Sequence, residues 1–224
     1  MSIGGIIVAA GRSARMGGGD KLLMRVGGRA LIAHSMAQFD GHARIDRLVV
    51  VASEANFEAI SAIAEELGKA LVVVGGRRRR DSVLCGLEAL GGCDIVVVHD
   101  GARPLVTMEL IDAAIDGAIE VGAALCAVPV SDTVKRGDVS GLVRSTVARD
   151  DLWLAQTPQA FRADVLRRAH AAHDIDATDD AALVELIEEP VRLVTGSREN
   201  IKVTTPEDVA LVEALLAARG YTAT

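Results

Sequence analysis

The amino-acid sequence predicts an α/β fold in which helices cover both faces of a mostly parallel β-sheet. Short apolar runs alternate with segments of helical periodicity over roughly the first 130 residues, which is typical of repeated βαβ units. Half of the 224 residues are hydrophobic and only five are aromatic, so Val, Leu, Ile and Ala must fill the core. That composition favours parallel strands buried under helices. The length suits a single domain over residues 1–224.

The predicted elements follow one another in a regular order. Apolar runs indicate strands at residues 6–10, 48–52, 71–74, 95–98 and 125–130. Helical patterns fall at residues 30–39, 54–67, 81–90 and 108–121. This succession is Rossmann-like, and its crossovers are expected to be right-handed.

The regular order breaks after Val130. Residues 131–149 are polar, carry four cationic side chains and contain Gly137 and Gly141, which predicts a protruding β-arm at about residues 131–153. The remaining elements are predicted to be helices at residues 163–173 and 179–186, a strand at 191–194 and a helix at 206–219. Thr205 suits the N-cap of the last helix, and Pro206 suits its first position.

Charge and cysteine content exclude several classes of function. A net charge of −7 argues against a broad surface for nucleic acid or an acidic membrane. The three cysteines lack the spacing of a metal site, and their odd number fits a reducing compartment. No apolar run approaches the roughly 20 residues that span a bilayer. We therefore expect a cytoplasmic protein that binds neither nucleic acid nor membrane.

A glycine-rich segment, VAAGRSARMGGGDK, extends from the first strand over residues 8–21. Its small residues allow backbone N–H groups to approach a ligand; they are Ala9, Ala10 and Gly11. Arg15 and Lys21 add positive charge. Ligands of open α/β sheets bind outside the carboxyl ends of the strands, so the segment predicts an anion site. It has neither P-loop spacing nor a dinucleotide fingerprint. The alternative is a loop whose charges are simply solvated.

The segment HDGARP, residues 99–104, follows another predicted strand. Asp100 is expected at the same sheet edge as the glycine-rich segment, with Arg103 close behind it. Asp100 has an alternative role as the cap of a turn before Pro104.

Basic residues and histidines elsewhere carry weaker signals. In the run Arg77–Arg80 we expect the first, second and fourth side chains to be solvated, and Gly76, Arg79 and Ser82 to be better candidates for ligand contact. Lys202, before the last helix, is either catalytic or a surface lysine. His34, His42, His170 and His173 are predicted to be surface or capping residues.

Seven segments resemble, in order, the 2-C-methyl-D-erythritol 4-phosphate cytidylyltransferase family. They are AAGRSARMGGGDK, GGRRRRDSVLCGL, VHDGARP, PVSDTVK, the stretch from TVARDDLW to QTPQAF, ATDDAALVE and NIKVTTPED. The resemblance implies an enzyme of isoprenoid precursor biosynthesis. It would transfer CMP from CTP to a small phosphorylated polyol and release pyrophosphate.

The resemblance also implies residue roles. Arg15 and Lys21 match the pair that stabilises the pentacovalent phosphorus, and Arg149 and Lys202 match the pair that positions the methylerythritol phosphate. The implied nucleotide-binding residues are Ala9, Ala10, Gly11, Gly76, Ser82 and Asp100. The implied residues for the second substrate are Arg103, Thr133, Thr157 and Thr178.

Assembly and metal are implied in the same way. The arm would reach across a homodimer, and a divalent cation, usually Mg²⁺, would be held mainly by the triphosphate. The chain departs from the family pattern at Asp20 and Leu22, where Pro and Gln are usual, at Gly101, and at Arg77. Two alternatives stay open: a cytidylyltransferase for another polyol phosphate such as ribitol 5-phosphate, and a non-catalytic nucleotide-binding module.

Overall fold

A computed structural model describes residues 1–11 and 20–220 of the chain. The main sheet has seven strands: β1 (Ile3–Ala9), β4 (Arg47–Ala52), β5 (Ala70–Val74), β6 (Ile95–Asp100), β7 (Ala123–Pro129), β10 (Trp153–Arg162) and β11 (Arg192–Thr195). Two small hairpins are formed by β2 (Arg25–Val26) with β3 (Arg29–Ala30) and by β8 (Val134–Gly137) with β9 (Val143–Val147). The helices are α1 (Leu31–Asp40), α2 (Phe57–Ala64), α3 (Arg79–Leu90), α4 (Met108–Val121), α5 (Ala163–Ala172), α6 (Asp180–Glu185) and α7 (Pro206–Ala218), and a 3₁₀ turn covers Lys21–Leu23.

The order of the strands confirms the Rossmann-like prediction. It is β11-β7-β10-β6-β1-β4-β5, in which β10 is antiparallel to both neighbours and the other pairs are parallel. From β1 the chain proceeds to β4 and β5 on one side and then returns to β6 on the other. The order reverses between β1 and β6, which is where open α/β sheets bind ligands. Ala9 and Asp100 end these two strands.

Helices cover both faces of the sheet, as predicted. Neighbouring residues on β1 illustrate this, because successive side chains of a strand point to opposite faces. Ile7 packs into a core formed with α1, α2, α4 and α7, whereas Ile6 packs into a second core formed with α3, α5 and α6. Both side chains are fully buried.

Strand β10 was not predicted from the sequence. Its apolar pattern is interrupted by residues 156–159, where the register against β7 shifts between Ala155 and Gln159. The peptide bond between Thr157 and Pro158 in this stretch is cis. A strand with an irregular middle shows no clean alternation, so pattern analysis overlooks it.

The predicted arm is a hairpin of β8 and β9. At its tip the carboxylate of Asp138 accepts hydrogen bonds from the backbone N–H groups of Ser140 and Leu142, at 2.9 and 3.0 Å. Gly141 has φ 82°, a conformation that favours glycine. The tip also exposes apolar side chains, those of Val139, Leu142 and Val143.

Three histidines that were predicted to be surface or capping residues, and one arginine that was predicted to be solvated, are buried. His34, His42 and His170 are at most 5% exposed. Burial lowers the pKa of His34, although its Nε2 contacts the carbonyl of Val26. Arg80 is also buried, and it donates to the carbonyl of His170 in the last turn of α5 and to that of His173, the residue that follows the helix. The partial negative charge at the C-terminus of a helix stabilises the positive charge of Arg80. These buried side chains are paired rather than solvated.

Among the residues that the structure describes, we find no helix with the length and apolarity needed to cross a membrane.

Candidate active site

The carboxylate of Asp100 lies at the centre of a cluster of cationic side chains. Its Oδ2 is 2.8 Å from the ammonium of Lys202 and 3.8 Å from Nε of Arg103. Its Oδ1 is 3.5 Å from Nε of Arg79. Strand β6 delivers Asp100 to this position, as the sequence predicted.

The electrostatics of this cluster favour an anionic ligand. Burial alone would raise the pKa of Asp100, but the charges of Arg79, Lys202 and Arg103 outweigh burial and hold that pKa well below its usual range. The carboxylate therefore stays ionised at neutral pH and is contacted by three cations. Around Asp100 the positive charges therefore outnumber the negative one. A polyphosphate carries several negative charges and is attracted by such an excess.

Arg79 connects the cluster around Asp100 to Asp180 of α6. Its Nη1 donates to the carboxylate of buried Asp180 at 2.6 Å, and Asp180 in turn is 3.2 Å from Nε2 of His170. Its Nη2 is buried, and within the described residues it has no hydrogen-bond partner. Since Arg79 contacts both Asp100 and Asp180, it joins α3 to β6 and α6 directly beside the site.

Thr157 of β10 supports the end of the neighbouring strand β6 through Asp100 and His99. Oγ1 of Thr157 accepts the backbone N–H of Asp100 at 3.0 Å and lies 3.0 Å from Nδ1 of His99. His99 Nε2 lies 3.1 Å from the carbonyl oxygen of Arg103, which can only accept, so Nε2 carries the proton and Nδ1 accepts from Thr157. Burial lowers the pKa of His99 to about 4, and the imidazole is neutral at physiological pH.

The segment that contains Lys202 is attached to the HDGARP loop by hydrogen bonds. Arg103 Nη1 donates to the carbonyl of Asn200 at 2.7 Å, and the backbone N–H of Val203 donates to the carbonyl of Ala102 at 2.8 Å. Lys21 Nζ donates to the carbonyl of Val203 at 2.8 Å. Lys21 and Lys202 are far apart in the sequence, and both reach this one place.

Asn200 is a site residue that the sequence analysis missed. It is fully buried, and its side-chain amide donates to the carbonyl of Thr157 at 2.8 Å. The feature of the sequence that could have pointed to Asn200 was its position two residues before Lys202. Asn56, whose side chain bonds Ala9 and Asp20, was missed as well.

Glycines bring the first strand close to the start of α3. A Cβ at Gly75 would lie 2.8 Å from the side chain of Ala10 and 2.7 Å from Oγ of Ser82, so only glycine permits this approach. At Gly76 a Cβ would lie 2.3 Å from the side chain of Asp81. Ser82 is buried, and its hydroxyl donates to the carbonyl of Arg78 at 3.2 Å.

Comparison with known proteins identifies the family. The family model for 2-C-methyl-D-erythritol 4-phosphate cytidylyltransferase matches residues 3–218. The chain belongs to this family. A relative of that name from Dehalococcoides mccartyi is 43% identical, with 96% of each chain covered, and one from Pelotomaculum thermopropionicum is 43% identical, covering 97% of this chain and 95% of the relative. The crystal structure of 4-diphosphocytidyl-2C-methyl-D-erythritol synthase from Anaerococcus prevotii superposes with a TM-score of 0.85 at 32% identity, covering 96% and 98% of the two chains.

Within this cytidylyltransferase fold, the predicted site residues divide into two groups. One group meets at the ends of β1 and β6: Ala9, Ala10, Lys21, Gly76, Ser82, Asp100, Arg103 and Lys202, with Gly11 directly following Ala10. The other group is peripheral. Arg149 donates to the carbonyl of Ser131 at the base of the arm, and Thr133 and Thr178 are exposed. Thr157 lies beneath the site, and Arg15 falls outside the described residues.

Proposed function

We propose that the protein transfers CMP from CTP to 2-C-methyl-D-erythritol 4-phosphate. The products are 4-diphosphocytidyl-2-C-methyl-D-erythritol and pyrophosphate, in the non-mevalonate synthesis of isoprenoid precursors. The observation that carries the proposal is that Lys21 contacts the carbonyl of Val203, next to the Lys202 that pairs with Asp100, in a chain that belongs to this family.

The reaction needs charge neutralisation more than it needs a general base. An oxygen of the substrate phosphate attacks the α-phosphorus of CTP, and the bond from that phosphorus to the pyrophosphate leaving group breaks. A phosphate monoester has its second pKa near 6, so the nucleophile is already ionised at neutral pH. What limits the step is the approach of two anions in line, which fixed cations promote. The neutral, buried His99 is consistent with a mechanism that uses no imidazole base.

Four cations divide this task in our proposal. Lys21 and Arg15 stabilise the pentacovalent phosphorus, and Lys202 and Arg149 position the acceptor phosphate. The ion pair of Lys202 with Asp100, at 2.8 Å, supports this by orienting the ammonium before substrate binds. Preorganised cations are effective because they need no rearrangement in the transition state.

The remaining contacts surround the two substrates. The nucleotide lies against Ala9, Ala10, Gly11, Gly76, Ser82 and Asp100, and the acceptor lies near Arg103, Thr133, Thr157 and Thr178. The close approach of β1 and α3 at Gly75 supports the nucleotide side of this assignment. Because Thr157 is buried in β10 beside β6, its contribution is to support Asp100 rather than to touch the acceptor.

A divalent cation, Mg²⁺, would be held mainly by the triphosphate of CTP. In residues 1–11 and 20–220, no three His, Cys, Asp or Glu side chains come together as a metal cage. Asp100 supplies the hard oxygen that Mg²⁺ prefers, but cations already neutralise it, so the phosphates must provide most ligands. When bound, the ion supplies further neutralisation of phosphate charge.

Assembly and location form the last part of the proposal. The chain forms one nucleotidyltransferase domain that dimerises through the arm, where Arg149 and Thr133 serve the partner's site. The exposed apolar tip of the arm supports this, since such side chains favour burial. Free thiols at all three cysteines support a cytoplasmic location.

A substrate panel tests the function. Purified protein with Mg²⁺ is incubated with CTP, UTP, ATP or GTP and with either 2-C-methyl-D-erythritol 4-phosphate or ribitol 5-phosphate, and pyrophosphate release is followed. We expect release only with CTP and the methylerythritol phosphate. Release with ribitol 5-phosphate alone would reassign the acceptor, and no release with any pair would favour a nucleotide-binding module.

A further inference from the structure

Asn56 is a buried residue whose side-chain amide has hydrogen-bond partners for its oxygen and for both N–H groups. It lies in the turn after β4 and is 1% exposed. Its Oδ1 accepts the backbone N–H of Ser53 at 2.8 Å. Its Nδ2 donates to the carbonyl of Ala9 at 3.1 Å and to the carboxylate of Asp20 at 2.5 Å. An amide nitrogen has two hydrogens, so both donors and the acceptor are engaged.

The two acceptors lie near the two ends of the glycine-rich segment, residues 8–21. Ala9 is the last residue of β1 and the first of the small residues assigned to the nucleotide. Asp20 directly precedes Lys21, and its other oxygen accepts the backbone N–H of Leu22 at 3.0 Å, which caps the 3₁₀ turn that carries Lys21. Asn56 therefore connects the end of β1 to the turn that presents Lys21.

Helix capping does not explain this side chain. Asn56 occupies the N-cap position of α2, where asparagine is favoured because its side chain accepts a backbone N–H of the first turn. Here no such bond forms between the Asn56 side chain and α2. The side chain is instead directed at Ala9 and Asp20, across the carboxyl end of the sheet.

We infer that Asn56 is a positioning residue that fixes Lys21 relative to the backbone of Ala9–Gly11, and so orders the CTP site. The inference rests on the proposed function, since it assigns Asn56 to CTP rather than to the acceptor. The chemistry is specific to an amide. Aspartate has the same shape but cannot donate to the Ala9 carbonyl, and it would place a second carboxylate against Asp20.

Asn56→Asp tests this role with little change in volume. We expect kcat/KM for CTP to fall about tenfold, a loss of about 1.4 kcal/mol that is typical of a broken hydrogen bond to a charged group. The KM for the acceptor, measured at saturating CTP, is expected to change by less than about twofold. Glu54→Gln, a charge change at an exposed residue of the same turn, is the matched control.

The double variant, which combines Asn56→Asp with Asp20→Asn, exchanges donor and acceptor. The amide introduced at position 20 then donates to the carboxylate introduced at position 56 and still caps Leu22, while the bond to Ala9 stays lost. We expect kcat/KM for CTP to rise about threefold above the Asn56→Asp value, and to stay below wild type because the bond to Ala9 is still missing. A general loss of packing would give no recovery. If Asn56→Asp does not fold, Asp20→Ala replaces it, and an unchanged kcat/KM for CTP in that variant would overturn the inference.

The outcomes separate this inference from the proposed function. Wild-type activity with CTP combined with an unaffected Asn56→Asp variant overturns the role of Asn56 alone. Equal losses for CTP and acceptor, with no recovery in the double variant, would also overturn it and leave Asn56 a structural residue. A wild-type protein without activity on CTP would overturn the proposed function and this inference together.

Discussion

Replacing Thr157 by Val would leave two buried polar groups without a partner. The hydroxyl of Thr157 accepts the backbone N–H of Asp100 and bonds Nδ1 of His99, each at 3.0 Å, and the residue is 3% exposed, so solvent has no access to replace it. Each unsatisfied buried group costs about 1–3 kcal/mol, so the free energy of unfolding is expected to fall by about 3 kcal/mol. In a chain of this size that loss lowers Tm by about 6–12 °C.

Urea denaturation of the two variants Thr157→Val and Thr157→Ser measures this effect. Serine keeps the hydroxyl and removes one buried methyl group, which costs about 1 kcal/mol. Valine keeps the volume and removes the hydroxyl. We expect Thr157→Val to be the less stable variant, with the slope of the transition unchanged. If Thr157→Ser were as unstable as Thr157→Val, the loss would come from packing, and the role assigned to the hydroxyl would be wrong.

Three further predictions concern charge and assembly. Lys21→Ala should keep the fold and lower kcat about 100-fold to 1000-fold in the pyrophosphate assay, whereas Lys69→Ala, at the amino end of β5, should keep normal turnover. His99 should stay neutral at pH 5.5 in ring NMR spectra; because burial lowers its pKa to about 4, its contribution to stability is complete above about pH 6.5 and is lost as the pH falls towards 4. Replacing residues 138–142 by Asn-Gly should keep a hairpin but shift the sedimentation profile from dimer towards monomer, and an unchanged profile would contradict dimerisation through the arm.

Local patterns failed where the tertiary environment decided burial. His170 and Arg80 look like solvated polar residues in the sequence, yet both are buried and paired through the approach of α3, α5 and α6. Helical periodicity does not reveal which polar residue will meet a partner from another element. Strand β10 was overlooked because residues 156–159 interrupt its apolar pattern. Its pairing with β6 and β7 nevertheless makes it a strand of the sheet.

The sequence by itself determined the alternation of strands and helices, the hairpin arm and the loops that carry Asp100 and Lys202. Each of these depends on periodicity or on short motifs, which are local properties. Only the tertiary structure decided the contacts that build the site. Lys21 meets Val203 across 182 positions, Arg79 meets Asp180 across 101, and Asn56 meets Asp20 across 36. These pairs follow from the order of the strands in the sheet, which brings residues distant in sequence to one edge and which no local pattern encodes.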